Sequence, residues 1–240
     1  MRIRALTAVI LLLGVAAGCS QDNDPKLSKA TSVVYVGDSL AQETAPFLGP
    51  LLDGRAMVAD ARPGTAPCDF ANVDLPITAD SVVVFSFTGN SLTPCMEDAA
   101  GAYLTGRALI DKYRTDIVDL IKRARSSAIA VVLVGQPIRS DDWPSDLVRD
   151  LNVMYVDLAA ESGVVFVDAG AAVENPDGTF AAQLPCVPNE AECGAAGTNV
   201  VRTDDGVHLC PGSLVVGPCA GYASGAYRFA KAIADAIINS

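Results

Sequence analysis

Five apolar runs recur along the chain, and most are apolar at successive positions rather than at alternate ones. They are SVVYVG (32–37), AMVADA (56–61), SVVVFSF (81–87), AIAVVLVG (128–135) and GVVFVDAG (163–170). Strands of this kind are buried on both faces, which is typical of a parallel sheet covered by helices on each side. The pattern therefore predicts five parallel strands.

The segments between these runs have the spacing of amphipathic helices. The longest, 96–128, has charged residues on one side and apolar residues at helical spacing on the other: Leu104, Leu109, Ile110, Ile117, Leu120 and Ile121. Two further helices are predicted over 145–163 and 225–240, and a long irregular stretch over 174–219. Alternating strands and helices predict an α/β fold, a three-layer α/β/α sandwich around a five-stranded parallel sheet of flavodoxin-like kind.

The N-terminus does not follow this pattern. Residues 1–18 contain two arginines and an apolar run of about 13 residues, short of the roughly 20 that span a bilayer, so they are typical of an export signal. The signal ends before Cys19 and resembles a bacterial lipobox, in which the cysteine is lipidated. An ordinary signal peptide with an incidental cysteine is the alternative. Residues 19–31 then form a polar tether, and 32–240 one domain.

The number of cysteines and the net charge limit which disulfides, metal sites and partners are expected. Seven cysteines are present, and if Cys19 carries lipid, the remaining six predict three disulfides in an oxidising compartment. Fifteen connectivities are possible, and the simplest has the pairs Cys68–Cys95, Cys186–Cys193 and Cys210–Cys219. With no C-x-x-C pair and one histidine, a zinc site is disfavoured and no metal is predicted. The formal net charge of −11 argues against a nucleic acid partner.

Polar residues with catalytic potential follow the predicted strands. Ligands of such sheets bind beyond the carboxyl ends of the strands, where Ser39, Gly64 and Asn90 lie. His208, the only histidine, comes three residues after Asp205. That spacing lets the carboxylate hold the imidazole Nδ1–H and leaves Nε2 free to accept a proton, as a base for a serine nucleophile requires. A helix cap for the serine and tight turns for the glycine and asparagine are the alternatives.

Four blocks of sequence, taken in order, resemble the SGNH (GDSL-type) hydrolases. The blocks are VGDSL, PG with Gly64, TGNS with Asn90, and DDGVHL with Asp205 and His208, and the resemblance covers residues 32–239. The second block departs from the family because it retains only the glycine, in PGTAPC. The paired cysteines also resemble those of exported actinobacterial members.

The resemblance implies a role for each of these residues. Ser39 would be the nucleophile, His208 its base and Asp205 the residue that orients the base. The Ser39 and Gly64 N–H groups and the Asn90 side chain would form the oxyanion hole. No cofactor is implied, and the motifs G-x-S-x-G, G-x-x-x-x-G-K-[ST] and G-x-G-x-x-G are absent.

The expected function is that of a serine esterase held by its lipid at the outer face of the cell membrane. It would hydrolyse carboxylic esters, of lipids or of acylated cell-envelope glycans, through an acyl-enzyme on Ser39, and act as a monomer. An O-acyltransferase that modifies envelope glycans needs the same triad, so it remains an alternative. A non-catalytic domain that binds the envelope is the second alternative.

Overall fold

A parallel sheet of five strands forms the centre of the computed structural model, which describes residues 27–140, 145–211 and 219–240. The strands lie in the order β2-β1-β3-β4-β5. Their bounds are Ser32–Gly37 (β1), Ala56–Ala61 (β2), Ser81–Ser86 (β3), Ala130–Val134 (β4) and Val165–Val167 (β5). The predicted strand number, direction and flavodoxin-like order are confirmed.

Within the ranges just given, four α-helices cover the two faces of the sheet. They are α1 (Ser39–Leu51), α2 (Gly106–Arg125), α3 (Ser145–Ser162) and α4 (Ser224–Ile238). Along β1 the side chains alternate: Val33 and Tyr35 pack with α1 and α4 in one core, whereas Val34 and Val36 pack with α2 and α3 in the other. The predicted three layers are therefore present, and each face of the sheet has its own apolar core.

Two sequence-based boundaries are wrong. The helix predicted from residue 96 begins at Gly106, because Pro94–Met96 forms a short 3-10 helix and Glu97 then bridges to Tyr103 around a turn at Gly101. The stretch 174–219 is not wholly irregular. It contains an antiparallel pair, β6 (Gln183–Pro185) and β7 (Thr198–Val200), strands too short to produce a recognisable apolar period.

The predicted signal peptide (1–18), the lipidation site Cys19 and most of the tether lie outside the described residues. In the ranges that are described, no helix combines the length and the apolar character that crossing a bilayer requires. Export and anchoring therefore remain predictions.

A glycine at the end of β1 brings the first strand-to-helix turn close to β3. A Cβ atom on Gly37 would lie 2.1 Å from the Ser86 carbonyl oxygen, so no larger residue fits there without displacing β3. The next residue, Asp38, donates its N–H to the same carbonyl at 3.3 Å. This close approach places the start of α1 at the carboxyl edge of the sheet, near the ends of β1 and β3.

Candidate active site

Ser39 is the first residue of α1 and is separated from the end of β1 by Asp38 alone. Asp38 caps the helix, since its carboxylate accepts a hydrogen bond from the Leu40 N–H at 3.2 Å. Ser39 is 9 % exposed, and its own N–H belongs to the first turn of the helix, where backbone donors and the helix dipole favour negative charge. The serine is therefore a helix-start residue with its hydroxyl at the sheet edge.

His208 connects Ser39 to Asp205 through both nitrogens of its ring. Nε2 lies 3.1 Å from Ser39 Oγ, and Nδ1 lies 2.6 Å from Asp205 Oδ2. The serine and the histidine are 169 positions apart in the sequence, yet they meet across the carboxyl edge of the sheet. The structure thus brings together the three residues that the sequence singled out, in the order serine hydroxyl, imidazole and carboxylate.

Asp205 is held as a carboxylate by its hydrogen bonds. Its Oδ1 accepts from the N–H groups of Val207 at 2.8 Å and of His208 at 2.9 Å, and also from the Thr203 hydroxyl. Partial burial acts to raise the pKa of Asp205, but the bonds from His208, Thr203 and the two backbone amides outweigh it and lower the pKa far below its ordinary range. Asp205 therefore remains charged wherever His208 can act as a base.

Arg202 supports the turn that carries Asp205 and His208. It is 2 % exposed, and its guanidinium donates to the carbonyl oxygens of Gly206 and Val207. Burial lowers the pKa of Arg202 to about 10, against nearby carboxylates that raise it. The turn also requires a glycine at 206, where φ is +69° and a Cβ would lie 2.0 Å from Ser140 Oγ. Sequence reasoning missed Arg202, because its partners are backbone atoms that no motif reveals.

A second carboxylate, Asp38, lies buried beside Ser39. It is 0 % exposed, and Oδ2 accepts from the Thr88 N–H at 2.6 Å, the Thr88 hydroxyl at 2.7 Å and Asn90 Nδ2 at 3.0 Å. Burial raises the pKa of Asp38, and the bonds from Thr88 and Leu40 oppose that rise. Asp38 therefore ties the β1–α1 turn to the segment after β3, a role that sequence reasoning had not assigned.

Asn90 reaches the site, but its side-chain amide is already engaged. Nδ2 donates to Asp38 Oδ2 at 3.0 Å and to the Thr65 carbonyl oxygen at 3.2 Å, which uses both of its hydrogens. Gly64, the residue before Thr65, is exposed and has φ of +71°. The structure thus brings the Asn90 side chain against the loop that holds Gly64. The oxyanion-hole roles of Gly64 and Asn90 stay predictions, since Asn90 must exchange one of these partners to donate to substrate.

A disulfide fastens these two loops together. Cys68 is bonded to Cys95, and Asp69 adds hydrogen bonds from the Ala66 N–H and the Thr93 hydroxyl, each at 2.8 Å. Within the described ranges Cys68, Asp69 and Cys95 are also the one group with metal-ligand spacing, but sulfurs joined in a disulfide supply no thiolate. The remaining pairs are Cys186–Cys193 and Cys210–Cys219. All three bonds agree with the predicted connectivity.

Comparison with solved structures identifies the fold. The chain matches LAE5, an α/β hydrolase enzyme from the metagenome of Lake Arreo, with a TM-score of 0.57 and 14 % identity over 90 % of this chain and 100 % of that one. It matches a GDSL-like lipase from Bacteroides thetaiotaomicron with a TM-score of 0.54 and 15 % identity over 87 % and 88 %. At such identities the similarity shows the fold, and the SGNH-like fold expected from the sequence is confirmed.

Comparison with known sequence families assigns the chain to one of them. No curated protein matches it significantly. The profile of a family described as "Protein of unknown function (DUF459)" matches residues 78–213, which is more than half of the chain and includes Asn90, Asp205 and His208 but not Ser39. The protein is a member of the DUF459 family.

Proposed function

We propose that this protein is a serine ester hydrolase that works through an acyl-enzyme on Ser39. The observation that carries the proposal is the continuous contact from Asp205 through His208 to Ser39 Oγ, with 2.6 and 3.1 Å between successive polar atoms. A serine hydroxyl becomes nucleophilic when a base can take its proton, and the base needs a partner that fixes its tautomer. A domain that only binds its ligand has no use for this arrangement.

The geometry supports a two-step reaction. Ser39 Oγ attacks the ester carbonyl carbon while its proton passes to His208 Nε2, and Asp205 stabilises the imidazolium that forms. Collapse of the tetrahedral intermediate breaks the bond to the alcohol oxygen, which takes the proton from Nε2. Water then attacks the acyl-enzyme with the same base, and the acid leaves. The Ser39 N–H, the Gly64 N–H and Asn90 Nδ2 would bind the oxyanion, the last after exchanging the Thr65 carbonyl for substrate.

Replacing the nucleophile tests this proposal directly. Ser39→Ala should lower the rate of hydrolysis of p-nitrophenyl acetate and butyrate by at least about 10³-fold and abolish labelling by a fluorophosphonate, because it removes the hydroxyl that lies within hydrogen-bond distance of His208 Nε2. Ser127→Ala, which alters an exposed serine after α2, is the control and should behave as the parent. Equal hydrolysis by Ser39→Ala and the parent would refute the proposal.

We further propose that the enzyme is exported and held at the outer face of the membrane by lipid on Cys19, where it acts on acylated lipids or envelope glycans. Two features support this location: the lipobox-like end of the signal sequence and three disulfides in the folded domain, which persist in oxidising compartments.

Anchoring can be tested at the lipidation site. Cys19→Ala should move the protein from the membrane fraction to the soluble exported fraction, because the acyl chains rather than a spanning helix would hold it. Fractionation and metabolic labelling with an alkyne fatty acid measure the change. Continued membrane association and labelling of the variant would contradict the proposal, whereas Cys68→Ser with Cys95→Ser should stay anchored and labelled.

A further inference from the structure

Helix α1 carries one carboxylate besides its cap, and that carboxylate is buried. Glu43 lies four residues after Ser39, so both side chains project from the same side of the helix. Glu43 is 5 % exposed, and an ionisable group of this kind is costly to bury unless it is paired or hydrogen-bonded. A buried carboxylate one turn from the proposed nucleophile therefore calls for a specific partner.

That partner is the segment that carries the histidine. Glu43 Oε2 accepts a hydrogen bond from the Leu209 N–H at 2.7 Å, across 166 positions of sequence. Leu209 is itself 0 % exposed and directly follows His208. The bond thus joins the helix that begins with Ser39 to the residue next to its base, and it is independent of the contacts that Asp205 makes with the same turn.

The charges around Glu43 belong to the same site. Those that face it are His208 and Asp205 on the catalytic turn and Arg202 on the segment before it. Burial raises the pKa of Glu43, whereas the Leu209 N–H, His208 and Arg202 act to lower it. A negative charge at Glu43 favours the protonated imidazole, the form that the base takes after it accepts the serine proton.

We propose that Glu43 is a positioning residue for His208, a carboxylate that anchors the residue after the base to the helix that carries Ser39. The proposal deepens the function proposed above and rests on it. Asp205 fixes the rotation and tautomer of the imidazole, and Glu43 fixes the distance of its backbone from α1. The buried glutamate is therefore explained by alignment of the base with the nucleophile.

Two substitutions separate the anchor from the charge. Glu43→Ala removes both the hydrogen bond to the Leu209 N–H and the negative charge. The rate of fluorophosphonate labelling of Ser39 and kcat for a p-nitrophenyl ester should each fall about 10- to 100-fold, with little change in KM. Small displacements of a catalytic group have effects of this size. Glu43→Gln keeps an oxygen that accepts from the Leu209 N–H, so it should restore the rate to within a few-fold of the parent. This rescue is not expected of a residue that only fills space.

The single histidine supplies a readout that does not depend on activity. Because the sequence contains one histidine, its Cε1–H signal can be followed by NMR in an untagged protein. In Glu43→Gln the midpoint of its titration should move to lower pH, since an ionised carboxylate near the imidazole favours the imidazolium and the amide does not. Glu174→Gln is the control: Glu174 is a partly buried carboxylate that likewise accepts a backbone N–H, from Ile138 at 2.7 Å, and its replacement should leave the midpoint unchanged.

Two results would overturn the assignment. One is labelling of folded Glu43→Ala at the parental rate. The other is a combination of two findings: the titration midpoint in Glu43→Gln equals that of the parent, and the loss of activity in Glu43→Ala is no larger than its loss of folded protein. Circular dichroism and thermal unfolding measure the folded fraction. Equal ester hydrolysis by the parent and Ser39→Ala would show separately that the proposed function is wrong. The NMR titration would still report whether Glu43 acts on His208, because it does not depend on activity.

Discussion

Asp205→Asn is expected to lower kcat for ester hydrolysis by about 10³- to 10⁴-fold while leaving the fold intact. The oxygen of the new amide can still accept from the Val207 and His208 N–H groups that now bind Oδ1. Its NH₂ group would then face His208 Nδ1, where Oδ2 now lies at 2.6 Å. A donor in that place favours the tautomer with its proton on Nε2, which cannot accept the proton of Ser39.

The measurement is the pH profile of kcat with a p-nitrophenyl ester, alongside thermal unfolding. In the parent, the low pKa of Asp205 keeps it ionised across the assay range, so the loss of activity as the pH falls should reflect protonation of His208 Nε2. Asp204→Asn, which alters the exposed neighbouring carboxylate, is the matched control and should retain the parental rate. A rate for Asp205→Asn within about ten-fold of the parent would show that orientation of the base does not depend on this carboxylate.

The largest effect on stability is expected at the buried ion pair between Glu190 and Arg228. Their side chains are 1 % and 5 % exposed, and Arg228 Nε lies 2.8 Å from Glu190 Oε1. Glu190 also accepts from the Val187 N–H and from Asn199 Nδ2, each at 3.0 Å. Removing either charge leaves the other buried without its partner, so Arg228→Met or Glu190→Gln should lower the free energy of unfolding by about 3–5 kcal/mol.

Urea unfolding under non-reducing conditions measures this change, and two further variants interpret it. Lys231→Met removes an ion pair of the same helix, Lys231–Asp235, whose side chains are 38 % and 51 % exposed, and it should cost less than about 1 kcal/mol. Replacing both buried partners, as Glu190→Leu with Arg228→Met, should recover part of the loss because no charge is left uncompensated. A loss for Arg228→Met no larger than that for Lys231→Met would contradict the prediction.

The pH dependence of this contribution follows from the pKa of Glu190. Burial acts to raise that pKa, but the bonds from Arg228 and Ser224 outweigh it, so the pKa lies below its ordinary value. A carboxylate with a lowered pKa in the folded state stabilises the protein above its unfolded pKa and loses that contribution as the pH falls through the folded value. The pair should therefore stabilise the protein at neutral pH and fail only in acid.

The sheet and the three triad residues were predictable from the sequence because each leaves a local signal. Buried parallel strands appear as apolar runs, and the Asp205–His208 spacing is short enough to be recognised within one turn. The predicted start of α2 was wrong because the apolar period from Leu104 onward does not show where the helix begins. Pro94 starts a short 3-10 helix and Gly101 lies in a turn, so the residues before Gly106 are not part of the helix. Boundaries of this kind depend on breakers that precede the periodic segment.

The buried charged residues around the site had no such signal. Asp38 bonds to Thr88 and Glu43 to Leu209, and both contacts join segments that are remote in sequence. Arg202 donates to three carbonyl oxygens, those of Ile138, Gly206 and Val207. Every residue carries the same backbone carbonyl group, so a pattern of residue types cannot indicate which carbonyl oxygens a side chain will contact. The residues that hold the site in place were therefore visible only once the chain was folded.

The wide separation of Ser39 and His208 along the chain has a consequence for when the enzyme becomes active. During synthesis the serine emerges from the ribosome long before the histidine, which follows all five strands of the sheet in the sequence. Ser39 therefore has no base until the turn at 203–208 has been made and packed against α1. A chain that is incomplete, or kept unfolded for passage through a membrane, carries an inert hydroxyl. Covalent capture of Ser39 would accordingly count finished molecules and ignore those that are incomplete or unfolded.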